Sequence, residues 1–190
     1  MIREPRFGPR SAFQLKIFLR DIEPQIWRRV MVPGSMSLSK LHLVIQGAFD
    51  WDDYHLHEFE IYGKRYGMVY NDWDDDDELL DENEWRLHQL LKIHDHLTYL
   101  YDFGDHWVHV IEVEVAENVS RTLKKALCLD GARARPPEDV GGISGFTHFV
   151  EVMSNPRHEE FADVVQWHGE RFKPERFSLI DTNGRIQSRS

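Results

Sequence analysis

Cysteine is nearly absent from this chain: Cys128 is the single one among 190 residues. No internal disulfide can form, and zinc sites built on paired cysteines are excluded. Such usage fits a reducing cytoplasm, and a lone thiol more often packs than attacks. No run of about 18 apolar residues occurs, so no segment is expected to span a membrane as a helix. The opening Met1-Ile2-Arg3-Glu4-Pro5-Arg6 lacks the apolar core of a secretory leader. HExxH and CxxC spacings, a nucleophile elbow, a phosphate-cradling glycine loop and a Rossmann fingerprint are all missing. A dominant basic face is missing too. Residues 50–84 hold 14 acids against Lys64 and Arg65, leaving 19 acids and 21 bases for the rest of the chain. Strong nucleic-acid binding is therefore not favoured, although two modest basic patches, 1–35 and 120–135, leave a nucleic-acid or protein partner open.

What is present is concentrated at Tyr101-Asp102-Phe103-Gly104-Asp105-His106-Trp107, followed by Val108-His109-Val110. Leu97, Tyr99 and Tyr101 alternate before this stretch, and Trp107, His109, Ile111, Val113 and Val115 alternate after it. The polar cluster thus falls on a hairpin tip, where two strands hold it rigidly. Gly104 is expected to take a backbone conformation costly to other residues.

The rest of the chain reads as one α+β domain, residues 12–184, between tails at 1–11 and 185–190. Phe13 to Leu19 and Ile26 to Val32 form a hairpin about Asp21–Pro24. Ser37 or Ser39 caps a helix with Leu38, Leu41, Ile45, Ala48 and Phe49 inward. His55 to Tyr62 and Tyr66 to Tyr70 flank a Gly63-Lys64 turn. Residues 71–84 read as a solvated acidic loop, and Trp85 to Ile93 as a short helix. Residues 117–142 look irregular. Two helices then carry Phe146, Phe149, Val150 and Met153, and Phe161, Val164 and Val165. Phe177 to Ile180 is expected to be a strand before an Asn183-Gly184 turn. Short hairpins with interspersed helices predict a largely antiparallel sheet with helices packed on it. With 41% hydrophobic residues, 6 Trp and 11 Phe, a sizeable core is available.

Five motifs occur in order: Ile26-Trp27-Arg28-Arg29-Val30, Leu41-His42, His55-Leu56-His57-Glu58-Phe59, Tyr101-Asp102-Phe103-Gly104-Asp105, and Pro136-Pro137-Glu138-Asp139-Val140-Gly141-Gly142. Together they resemble the plasmid pRiA4b ORF-three-like family, some members of which are labelled passenger proteins of insertion elements. The resemblance spans about Phe13 to Asn183. It implies a compact α+β fold and a bacterial, archaeal or mobile-element origin, and it implies no activity.

Candidate chemistry gathers at Arg28, His57, Asp102, Asp105, His106, Glu138 and Asp139. Imidazole with carboxylate binds a divalent metal or acts as an acid–base pair, and His57, Asp102 and His106 are the candidate ligands. His42, inward on its helix, or His109, sharing a sheet face with His57, would extend such a site. The structural alternative is that the aspartates bond turn amides and the histidines bond core carbonyls. Gly141 and Gly142, with Arg133 and Arg135 nearby, either cradle an anion or shape a loop. Arg28 faces the core and wants a carboxylate, Asp102 or Glu138. Arg29 and Trp27 offer a weaker nucleic-acid contact. Asp72, Asp74 and Asp76 begin a calcium loop, but Asp77 and Asn83 stand where glycine and glutamate are needed. No cofactor is evident beyond a possible divalent metal. The leading expectation is a cytoplasmic binding or accessory protein; the alternative is a metal-dependent hydrolase or nuclease at the Asp102 turn. The seven residues occupy strand and turn positions suited to one end of a sheet, so the Asp102 turn and the 136–142 loop are expected to meet.

Overall fold

The computed structural model describes residues 7–69, 78–118 and 123–189. The chain runs β1 (Ser11–Leu19), β2 (Trp27–Pro33), α1 (Leu38–Phe49), β3 (His57–Ile61) and β4 (Lys64–Gly67). It continues with β5 (Leu79–Asp81), α2 (Leu87–Leu90), β6 (His96–Tyr101), β7 (Trp107–Asn118) and β8 (Leu127–Ala132). It closes with α3 (Gly142–Ser154), α4 (Phe161–His168) and α5 (Leu179–Arg189). The strands form one eight-stranded sheet in the order β5-β4-β3-β6-β7-β1-β2-β8. Every neighbour is antiparallel except β4 and β5.

The alternation read from the sequence sets which face is buried, because successive strand side chains point to opposite sides. Leu15 and Ile17 of β1, Val30 of β2, Tyr99 of β6 and Ile111 of β7 are wholly inaccessible. Each such side chain contributes roughly 1.5–3 kcal/mol by leaving water. The opposite positions of β2 and β7 stay partly exposed. There Arg29 forks onto Glu114, at 2.7 and 2.8 Å, and lies over Trp27, so it serves the sheet rather than a free surface. Helix α1 covers the buried face with Leu41, Val44, Ile45 and Ala48. Ser37 is its cap, its hydroxyl accepting from Lys40 N.

Several expectations need correction. Within 117–142, residues 127–132 are an edge strand; its short apolar content carries no alternation, and pairing with β2 imposes the conformation. Residues 177–180 are not a strand. Helix α5 begins at Leu179 and runs through Asn183-Gly184 into the supposed tail, burying Ile186 completely. Asn183, inside that helix, bonds the free edge of β8: Oδ1 accepts from Cys128 N and Nδ2 donates to Cys128 O. Helix α5 also crosses α1 so closely that a side chain at Gly47 would lie 2.9 Å from the Ile186 backbone. The helix expected over 85–93 is only Leu87–Leu90, yet Leu87, Leu90 and Leu91 are buried. Much of the acidic segment, including Asp72 and Asp74 to Asp77, lies outside the described residues. Its C-terminal part is not a solvated loop: Leu79–Asp81 pairs with β4, and Glu82 is buried.

Candidate functional site

The 102–106 turn starts from Asp102, whose φ of +57° is tolerated because a short aspartate can bond its own backbone. Its Oδ1 accepts from Gly104 N at 2.9 Å, and its carbonyl accepts from His106 N at 2.6 Å. Its own N–H donates to Leu56 O, pinning the turn to the segment ahead of β3. Gly104 does not occupy the left-handed region. That conformation falls on Asp102 and His106, the latter at +60°. The remaining oxygen of Asp102, Oδ2, lies 3.7 Å from His55 Nε2.

The 136–142 loop meets this turn. Gly141 N donates to Asp105 Oδ2 at 3.1 Å, so the anion held at this amide is the chain's own aspartate. Glu138 reaches inward: its Oε1 accepts from Asp52 N at 2.8 Å and from the Tyr101 hydroxyl at 3.1 Å. Its Oε2 is buried without a hydrogen-bond partner. Burial pushes the carboxyl of Glu138 above its ordinary range, and it raises the Tyr101 hydroxyl too, with Glu138's charge adding to that shift. Asp139 sits at φ +56° and brings Oδ1 to 3.3 Å from His55 Nε2. Glu138 Oε2 is 4.0 Å from the same nitrogen, which is itself buried and makes no hydrogen bond. His55, Asp102 and Asp139 thus offer three ligand atoms within 4.8 Å of one another. An ion with bonds of roughly 2.1 Å places adjacent ligand atoms about 3.0–3.4 Å apart, so small side-chain rotations close the set.

The predicted residues divide sharply. Asp102, Glu138 and Asp139 converge. Asp105 clamps the loop from behind. His106 is exposed on the turn and belongs to no group of three ligands among the described residues. His57 is elsewhere: its Nε2 pairs with buried Glu82 at 2.9 Å, and its ring stacks on His42 at 3.6 Å, nearly parallel. Arg28 has no carboxylate partner among the described residues. Its guanidinium is ringed by the carbonyls of Trp27, Ala48, Ala132 and Arg133, at 2.7–2.9 Å, and burial lowers its pKa to about 10. Arg133 pairs with Glu175, and Arg135 with Asp50 O, Pro136 O and Asp52. The anion cradle of Arg133, Arg135, Gly141 and Gly142 is therefore not assembled. His109 is a core residue: the Trp51 indole donates to Nε2, and Nδ1 faces the carbonyls of Trp107 and Tyr99.

His55 is the residue the alternation argument passes over. That argument selects His57, which shares a face with Phe59 and Ile61. The cluster, however, sits just ahead of β3, where the strand period does not yet apply. The available signal is adjacency: His55 precedes by one residue the carbonyl that receives Asp102 N. Beside the cluster opens a cleft of about 600 Å³, bounded by Glu138, Asp139, Arg135, Trp167, Lys173 and Phe177 among others.

The family model for the plasmid pRiA4b ORF-3-like protein matches residues 11–181. The chain belongs to that family. It is 36% identical over 163 residues to uncharacterized protein y4hQ of Sinorhizobium fredii, an alignment covering 84% of this chain and 81% of that one. It is also similar to the crystal structure of MM3350, a protein of unknown function from Methanosarcina mazei Go1. There the identity is 35% and the TM-score 0.81, covering 90% of this chain and 97% of that chain. MM3350 shares this chain's fold, and neither relative's name states a reaction. Among the described residues, no helix is long and apolar enough to cross a membrane.

Within this pRiA4b ORF-3-like chain, one glycine of the loop and one of the turn differ in a measurable way. Gly142 sits at φ +66°, and a Cβ there would lie 2.7 Å from the Asp105 carbonyl oxygen. Gly142→Ala is expected to cost about 2 kcal/mol or more, since strain and backbone collision coincide. Gly104→Ala meets only Asp102 Oδ1, at 3.2 Å, without a left-handed φ; it should cost within about 1 kcal/mol. Denaturant midpoints of the two variants check the order, and a reversed order would refute this account of the turn.

Proposed function

We propose that the protein binds a divalent cation through His55, Asp102, Glu138 and Asp139 and presents it to a small ligand in the adjoining cleft. The observation that carries this reading is a pair of buried, unpartnered polar atoms, His55 Nε2 and Glu138 Oε2, facing one another beside two further carboxylates. Buried polar groups are normally satisfied, and one ion would satisfy both. A nitrogen with carboxylate oxygens suits manganese or zinc. Three or four protein ligands leave coordination positions for a ligand or water. The formal net charge of -10 speaks against a nucleic-acid substrate. The lone buried thiol, Cys128, supports a reducing cytoplasmic setting. Glu138 favours a second, hydrolytic reading. Its raised pKa and unpaired oxygen suit a general base toward cation-bound water.

Manganese titration with calorimetry and thermal unfolding tests the cation site. Binding at a hundredfold excess over Kd should stabilise the fold by about 2.7 kcal/mol. Asp102→Asn retains the acceptor for Gly104 N but removes the anionic ligand, and should abolish that gain. Affinity should fall on acidification, because the ion must displace a proton from the Glu138 carboxyl, whose pKa burial raises. An unchanged melting temperature with manganese and with zinc would overturn the proposal.

A further inference from the structure

One residue outside the four cation ligands adjoins three of them. Tyr101 ends β6 and is wholly buried. It precedes Asp102 in the chain, and its ring stands edge-on to the His55 imidazole, with centroids 5.8 Å apart. Its hydroxyl donates to Glu138 Oε1 at 3.1 Å. The direction of that bond is set by the backbone. A phenolic hydroxyl has one proton, and the Tyr54 N–H already donates to its oxygen at 3.2 Å, so the proton is left for Glu138. Asp52 N donates to the same carboxylate oxygen at 2.8 Å. Oε1 therefore receives two donors, while Oε2 is buried with none. Glu138 is also the carboxylate whose placement is most demanding. Its Oε2 lies 4.0 Å from His55 Nε2, against 3.7 Å for Asp102 and 3.3 Å for Asp139.

We propose that Tyr101 is a positioning residue of the cation site: its hydroxyl, with the Asp52 amide, holds Glu138 by Oε1 so that Oε2 alone meets the ion. This assignment rests on the cation site proposed above. Tyr101 acts through Glu138 and is not itself a ligand. Two donors from different directions fix both the plane and the rotation of the carboxyl group. With the hydroxyl removed, a single amide remains, and the group can turn either oxygen toward the ion or away from it. Outer partners that orient a ligand in this way are worth roughly 10–100-fold in metal affinity. Phenylalanine at this position keeps the ring that packs on Trp51, at 5.2 Å between centroids, and on His55. The packing role of Tyr101 and its positioning role are therefore separable by one oxygen atom.

Calorimetric titration of the full chain with manganese, and with zinc in parallel, tests this. Tyr101→Phe should weaken the bound metal roughly tenfold or more. On a Glu138→Ala background the same change should cause no further loss, because the hydroxyl then has nothing to position. Glu138→Asp keeps the charge but withdraws the carboxyl from the hydroxyl, and should also weaken the metal roughly tenfold. Cobalt bound in the same site supplies a signature independent of affinity. At saturation, the visible absorption of Tyr101→Phe should differ from that of the parent, since a reoriented carboxylate changes the ligand field and a mere loss of stability does not. A parent that binds neither manganese nor zinc overturns the cation site and this assignment together. With metal bound by the parent, four results overturn this assignment alone: Tyr101→Phe of undiminished affinity, an equal loss on the Glu138→Ala background, parent-like affinity in Glu138→Asp, or an unaltered cobalt spectrum.

Discussion

Glu82→Ala should destabilise the protein by about 3–5 kcal/mol, although the glutamate lies in the most acidic part of the chain and far from the candidate cleft. Glu82 and His57 have side chains only 3% and 1% exposed, and they meet at 2.9 Å. Removing the carboxylate strands the imidazole where water cannot reach it. His57 Nδ1 already lacks a hydrogen-bond partner, and its ring face is covered by His42. The loss also frees the segment that follows β5, because Glu82 is its buried anchor. Replacing both partners by apolar residues, His57→Leu with Glu82→Leu, should recover much of the loss; the cost comes from an uncompensated polar group rather than from one missing bond. The midpoints of denaturant unfolding for parent, single and double variants measure this. A single variant within about 1 kcal/mol of the parent would show that Glu82 is not an anchor.

Acidification should be nearly as damaging. His42 and His109 are held neutral: burial, then the charge of His57, lowers His42 from 6.5 to about 3, and burial lowers His109 to about 4. The contacts of His109 explain why it refuses a proton. The Trp51 indole can only donate, so His109 Nε2 must accept and its proton sits on Nδ1. A second proton would set two donors against each other. His42 has acceptors on both sides, the Tyr99 hydroxyl at 2.8 Å and Asp53 at 2.9 Å, so burial and the His57 ring stacked on its face are what depress it, against the pull of Asp53. Both folded-state values are depressed, so the unfolded chain binds protons that the folded chain cannot. Their contribution is complete above about 6.5 and is lost progressively as the pH falls toward 4. By pH 5 His109 should remove about 2 kcal/mol of stability, and His42, which faces the Asp53 carboxylate, less than that. Asp53 and Glu138, whose carboxyls burial raises, oppose this trend only close to the carboxylate range. Chemical unfolding at pH 7.5, 6 and 5 reads the slope directly; equal stability at the three values would contradict neutral buried histidines.

The sheet's inward face was legible from the chain alone, because a strand's side-chain period of two leaves a pattern in Phe13, Leu15 and Ile17 and again in Tyr99, Tyr101 and Ile111. So were α1, with Ser37 or Ser39 as its cap, and the family, through five motifs kept in order. Single-residue alternation also placed Arg28 inward. It could not say that four carbonyls rather than a carboxylate would receive it, since those carbonyls come from Trp27, Ala48, Ala132 and Arg133 on three separate segments. The edge strand β8 and the helix α5 were equally hidden. Each is held by partners distant in sequence, Cys128 by Asn183 and Gly47 by Ile186, and neither contact leaves a local pattern. The same reason divides the histidines. Periodicity identifies His57 and His109 as inward. Only the packing of the segment before β3 against the Asp102 turn and the 136–142 loop brings His55 to Asp102, Glu138 and Asp139. Local sequence thus determined the buried face of the strands and of α1, and tertiary structure decided which other segments are buried and which buried polar groups meet, because that choice is made by contacts between segments distant in the chain.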